Sequence, residues 1–194
     1  MAWLPDAIKR TVAALVFTSA ASCAVMAQDG PEEDAEPPAD LDALLGELAA
    51  PEADHERIAR RVTRLWSRSG SEAMDFLLRR GRDAMEEGDL DAAIEHLTAL
   101  TDHAPGFAEG YNARAQAYFR AGHTGPALAD LERTLALEPR HFEALAGLGF
   151  VMIELGAPEQ ALTALRAAAS IPPAIPEVND AIERLERDLE GTAA

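Results

Sequence analysis

Residues 74–107 read MDFLLRRGRDAMEEGDLDAAIEHLTALTDHAPGF, residues 108–141 read AEGYNARAQAYFRAGHTGPALADLERTLALEPRH, and residues 142–175 read FEALAGLGFVMIELGAPEQALTALRAAASIPPAI. Laid over one another, the segments keep one phase. Gly88, Gly122 and Gly156 recur every 34 residues, as do Ala93, Ala127 and Ala161, then Leu97, Leu131 and Leu165, then Pro105, Pro139 and Pro173. Four unrelated residue types on one period mark a repeat protein, whose units stack to bury apolar faces that none could bury alone.

Each column has a physical reason. A glycine free to adopt the left-handed conformation ends the first helix of a unit. The alanine is small enough for two helices to cross closely, and the leucine four residues on lies one turn along the same face, in the core. The proline cannot continue a helix and ends the second one. Pro126 and Pro158 stand near the first turns of second helices, where a missing N–H is harmless.

These columns resemble the tetratricopeptide repeat, a helix-turn-helix unit with the pattern W-x2-L-G-x2-Y, then A-x3-F, then P. The third segment carries Leu145, Leu148, Gly149, Met152, Ala161, Leu165 and Pro173 in that pattern. The second carries Tyr111, Ala115, Tyr118, Ala127, Leu131 and Pro139, and the first Leu77, Gly81, Ala84, Ala93, Leu97 and Pro105. Arg114 and Arg80 replace the usual leucine, and both are expected to lay their stems on apolar surface with the charge in water. The resemblance implies an all-α fold: a right-handed α-solenoid with repeats at 74–107, 108–141 and 142–175.

Working outward, Asp40 is a plausible N-cap for a helix carrying Leu41, Leu44, Leu45 and Leu48. Ala59, one period before Ala93, sits among Ile58, Val62, Leu65 and Trp66. Residues 40–71 therefore predict a degenerate repeat-like hairpin, with a simple capping hairpin as the alternative. At the other end, Pro176 opens residues 176–190, a C-terminal capping helix that buries Val178, Ile182, Leu185 and Leu189 and turns acids to solvent.

At the start of the chain, Lys9 and Arg10 precede an apolar run ending Val25-Met26-Ala27, the layout of a secretory signal peptide over residues 1–27. An acidic, proline-rich linker follows at 28–39. The expectation is a periplasmic or secreted protein after cleavage. Cys23, the one cysteine, follows Ala20-Ala21-Ser22 and leaves a second route, lipidation and an envelope anchor.

With 17 basic against 34 acidic residues the formal charge is −17, which argues against nucleic acid, since phosphate backbones are held by clustered Lys and Arg. Residues 28–54 hold ten acids and no base, whereas 55–70 hold Arg57, Arg60, Arg61, Arg64 and Arg68. Exposed and salt-screened pairs contribute little, so these blocks read as solvated faces, with a folding-back contact between them as the alternative. No nucleophile with its base, metal cluster or glycine-rich phosphate loop stands out, so no catalytic residue, metal ligand or cofactor is assigned. His55, His96, His103, His123 and His141 are scattered and expected at the surface.

What remains is an interaction surface. In the family, first helices line the concave side, which implies a groove with an apolar file of Met85, Phe119 and Ile153. Leu78, Asn112, Arg82, Gln116 and Phe150 stand in neighbouring columns, with Arg120 beside Phe119. Such a groove suits a peptide or protein partner, the alternative being that these residues pack against the adjoining repeat or the N-terminal hairpin. Some family members hold a C-terminal carboxylate with matched lysines and asparagines. Lys9 is the chain's one lysine, and Asn112 alone does not reconstruct that clamp. Self-association into a scaffold is the alternative.

Overall fold

The computed structural model describes residues 40–50, 52–172 and 175–192. The expected signal peptide, the linker, Cys23 and Pro173 lie outside the described residues. Among those described, every regular element is a helix: α1 (Leu41–Leu48), α2 (His55–Trp66), α3 (Glu72–Glu87), α4 (Leu90–His103), α5 (Ala108–Arg120), α6 (Thr124–Leu137), α7 (Phe142–Glu154), α8 (Pro158–Ala169) and α9 (Pro176–Thr192).

Three antiparallel pairs, α3 with α4, α5 with α6 and α7 with α8, form the repeats. Each second helix then packs on the next first helix, α4 on α5, α6 on α7 and α8 on α9. First helices also meet one another, α3 with α5 and α5 with α7, so they form a continuous inner face. This is an all-α solenoid.

The repeat columns do the mechanical work expected of them. Gly88, Gly122 and Gly156 have φ of 81°, 76° and 68°, and the turns after them close with Asp89 N–H to Ala84 O, His123 N–H to Tyr118 O and Ala157 N–H to Met152 O, at 2.8–2.9 Å. Ala93, Ala127 and Ala161 have no exposed surface. Opposite the leucines runs a further small-residue column, Gly81, Ala115 and Gly149. A Cβ on Gly149 would stand 2.5 Å from Leu165 Cγ, and one on Gly81 2.5 Å from Leu97 Cγ, so the two helices meet closer than a methyl permits. α9 covers the far end with Val178, Ala181 and Leu185, packed on Ala161, Leu165 and Ala168.

Two expectations need correction. Arg114 does not keep its charge in water: its side chain is 15% exposed, pairs with both Asp130 oxygens at 2.7 and 2.8 Å, and donates to Thr101 Oγ1 at 2.7 Å. The rings of Tyr111 and Tyr118 flank it. Hydrogen bonding to Asp130 outweighs burial and holds the guanidinium more firmly protonated than usual. Arg80 is exposed, as anticipated.

The second concerns residues 40–71. Asp40 does cap α1, accepting from Asp42 N–H, and α1 packs on α2. The hairpin, however, is not a fourth repeat stacked ahead of α3. Its apolar side, Leu44, Leu45, Leu48, Ile58, Val62 and Trp66, joins Phe142 of α7, with Ile171 and Ile175 alongside. Gly70, at φ 83°, turns the chain between α2 and α3. The hairpin lies against the α7 side of the solenoid, and Phe76 on α3 is left 52% exposed.

Candidate functional site

Glu109 and Glu143 are one period apart, each in the first turn of its helix, α5 and α7, where the helix dipole favours an anion. Glu109 is 1% exposed. Arg82 of α3 bonds one of its oxygens, while His141 Nε2 at 2.9 Å and Asn112 Nδ2 at 3.0 Å donate to the other. Burial pushes the Glu109 carboxyl upward, but His141, Arg82 and Asn112 together prevail and hold it below the usual carboxylate range. Glu143 accepts from Thr63 Oγ1 at 2.8 Å; burial and the nearby Glu109 charge raise its carboxyl above the usual range.

His141 is completely buried, contrary to the expected surface position. Ala144 N–H donates to its Nδ1 at 3.3 Å, so the ring proton sits on Nε2 and points at Glu109. Trp66 stacks on the imidazole with centroids 4.1 Å apart and planes 13° from parallel. Arg82 also donates to Ser67 Oγ at 3.1 Å. Ser67 thus fastens the hairpin to α3, and Thr63 and Trp66 fasten it to the start of α7.

Ligand atoms of Glu109, His141 and Glu143 lie within 4.8 Å of one another, a spacing that could suit a metal ion. The donor set does not. Both imidazole nitrogens are engaged, and a guanidinium already neutralises Glu109. The cluster is an ion-pair network that joins four helices.

Beside it, on the inner face of α5 and α7, opens a cleft of about 310 Å³. Asn112, Gln116, Phe119, Arg120 and Phe150 line it, so five of the nine expected groove residues come together. Ala115, Leu131, Ala146 and Val151 complete an apolar wall, and Glu143 stands where the cleft meets the network. Phe119 is 38% exposed. Arg120 reaches back to Met85 O at 3.2 Å.

The other four expected residues lie elsewhere. Leu78 and Met85 are buried among Ala93, Leu97 and Ala113, because neighbouring helices cover the α3 positions of those columns. Arg82 belongs to the ion-pair network. Ile153, 39% exposed, lines a separate hollow with Ala181 and Leu185 of α9. The file Met85, Phe119, Ile153 is therefore not one continuous groove: each helix has a different neighbour at that level.

Sequence reasoning missed Thr63, Trp66, Ser67, Glu109, His141 and Glu143 as a group. One signal was available: Asp75, Glu109, Glu143 and Glu177 form an acidic column with the same 34-residue period. Of its inner members Glu109 is buried and Glu143 half-buried, with Thr63 of α2 bonded to Glu143, and no periodicity announces that.

An all-helical stack whose inner face carries a cleft defines a repeat protein built for contact with other chains. The tetratricopeptide-repeat family model matches residues 78–125 and 112–176, about half the chain, and the protein belongs to that family. A TPR repeat-containing protein of Rhizobium etli is 30% identical over 154 residues, covering 78% of this chain and 75% of that relative. Small glutamine-rich tetratricopeptide repeat-containing protein 2 of Saccharomyces cerevisiae is 31% identical over 110 residues, 57% of this chain but only 30% of the yeast protein.

Among solved structures, the first TPR domain of Spaghetti (RPAP3), bound to the HSP90 peptide SRMEEVD, superposes with a TM-score of 0.60 at 23% identity, covering 62% of this chain and 95% of that domain. The Yersinia enterocolitica secretion chaperone SycD, in complex with a YopD peptide, gives 0.56 at 13%, covering 61% and 95%. At these identities the likeness is one of fold.

Proposed function

We propose that this protein is a non-catalytic interaction module that holds a peptide or protein partner in the cleft of α5 and α7, in an exported, periplasmic setting. The observation that carries the reading is the cleft itself, an apolar hollow with Phe119 exposed at its wall. The wall is almost wholly apolar, with Ala115, Leu131, Ala146, Phe150 and Val151 beside Phe119, and a concave apolar surface with a few polar groups is the usual form of a binding site. Solenoids of this family mediate protein–protein contacts, and both structural neighbours described above hold peptides. The basic, apolar and small-residue layout of residues 1–27 supports export, with attachment through Cys23 as the other route. An intact mass of the protein recovered from cells separates cleavage after Ala27 from lipidation.

The test of the cleft is Phe119→Glu. It places a charge on the apolar wall without touching the core, so capture of the partner should be lost while the melting temperature stays within a few degrees of the parent. Unchanged capture would sink the assignment. A second reading, self-association into a scaffold, is favoured by the uncovered α3 surface around Phe76. Light scattering over micromolar concentrations decides it, since a constant monomer mass rules against the scaffold.

A further inference from the structure

Asn112 is completely buried, and its Oδ1 has no hydrogen-bond partner among the described residues. Its Nδ2 is committed to Glu109, so the unpaired end of the amide is an acceptor, and Asn112 is one of the residues that line the cleft. An unpaired buried acceptor costs about 1–3 kcal/mol, so a donor arriving there is stabilising. Glu143, the one carboxylate on the same lining, has a single hydrogen bond among the described residues, from Thr63. The only cationic side chain of the lining, Arg120, is turned to Met85 O.

Resting on the peptide-binding reading above, we infer that the cleft takes a lysine side chain of its partner, with the ammonium at Asn112 Oδ1 and the Glu143 carboxylate and flanking aliphatic residues against Phe119 and Phe150. A primary ammonium brings three donors to a site that offers acceptors, and its four-carbon stem can follow the apolar wall of Ala115, Ala146 and Val151. The raised Glu143 carboxyl fits this, because burial and Glu109 leave its charge under-compensated and a cation supplies what is missing. The chain's formal charge of −17 draws a basic segment in and repels an acidic one. The chemistry is opposite in sign to the SRMEEVD peptide held by the Spaghetti domain.

The experiment uses the full chain and titration calorimetry at pH 7 with end-capped five-residue peptides that differ only at the centre. The centre is lysine, norleucine or Nε-acetyl-lysine, between leucines. The lysine peptide should bind roughly tenfold tighter than the other two, as a charge-assisted hydrogen bond allows. Glu143→Gln keeps the bond from Thr63 and should bring lysine and norleucine within about threefold. Equal binding of norleucine, a preference that survives Glu143→Gln, or no binding of any peptide overturns the inference. An uncapped norleucine peptide that matches the lysine peptide also overturns it, in favour of a terminal amine. If norleucine binds as well as lysine and Phe119→Glu abolishes both, the lysine assignment falls and the peptide cleft stands.

Discussion

Glu109→Ala removes the hub of the network that fastens the hairpin to the solenoid. The carboxylate is 1% exposed and takes bonds from Arg82, His141 and Asn112, so its loss strands three donors. Removing one partner of a buried ion pair costs about 3–5 kcal/mol, and the 34% exposure of the Arg82 side chain lets water solvate part of what is stranded, which argues for the lower end, ~3 kcal/mol. At about 2–4 °C per kcal/mol for a domain of this size, the melting temperature should fall by roughly 6–12 °C. Two probes locate the loss. Trp66 stacks on His141, so its fluorescence reports hairpin docking, while ellipticity at helical wavelengths reports the whole stack. In the variant the Trp66 transition should precede the helical one. Glu109→Gln, which keeps the shape but not the charge, should lose about half as much. Coincident transitions with a melting point within 2 °C of the parent would refute the hub role.

Four further outcomes follow from the same geometry. Gly149→Ala should destabilise by ~1–2 kcal/mol in urea denaturation, because a Cβ 2.5 Å from Leu165 Cγ must force α7 and α8 apart and overpacking outweighs the helix propensity gained. Gly46→Ala, with open space around it in α1, should instead stabilise by ~0.5–1 kcal/mol. Arg114→Leu restores the residue usual for the family yet should cost ~3 kcal/mol by stranding Asp130, 6% exposed, and adding Asp130→Leu should recover most of it in a double-mutant cycle. Glu143→Gln should raise the melting temperature at pH 7, with the gain fading as pH falls through about 4. The sign follows from the raised carboxyl: its contribution is intact below the unfolded-state pKa and lost as pH rises through the folded one, a loss that glutamine cannot suffer. Glu109 runs the other way, its contribution lost as pH falls through its depressed pKa. A gain independent of pH would show that the Glu143 ionisation is not the cause.

How far the sequence carries can be judged residue by residue. The period of 34, the left-handed glycines, the crossing alanines and the core leucines are local or nearest-neighbour requirements, met within one repeat or between adjacent ones. They leave a trace in the chain at every turn of the pattern, and the solenoid was legible from them. Five cleft residues, Asn112, Gln116, Phe119, Arg120 and Phe150, were legible for the same reason, since two successive first helices present the same columns to one face. Leu78, Met85 and Ile153 were not separable from them, because which member of a column stays open depends on what its own neighbours cover. The destination of the hairpin was invisible. Thr63 and Glu143 are 80 residues apart, and no periodicity links them. Only tertiary packing brings Trp66 onto His141, buries Glu109 of the acidic column in a hydrogen-bonded network, and leaves the Asn112 oxygen unpaired. By itself the sequence determined a stack of helices with an inner face. The fold of the chain back onto that face decided which part is closed and which is open to a partner.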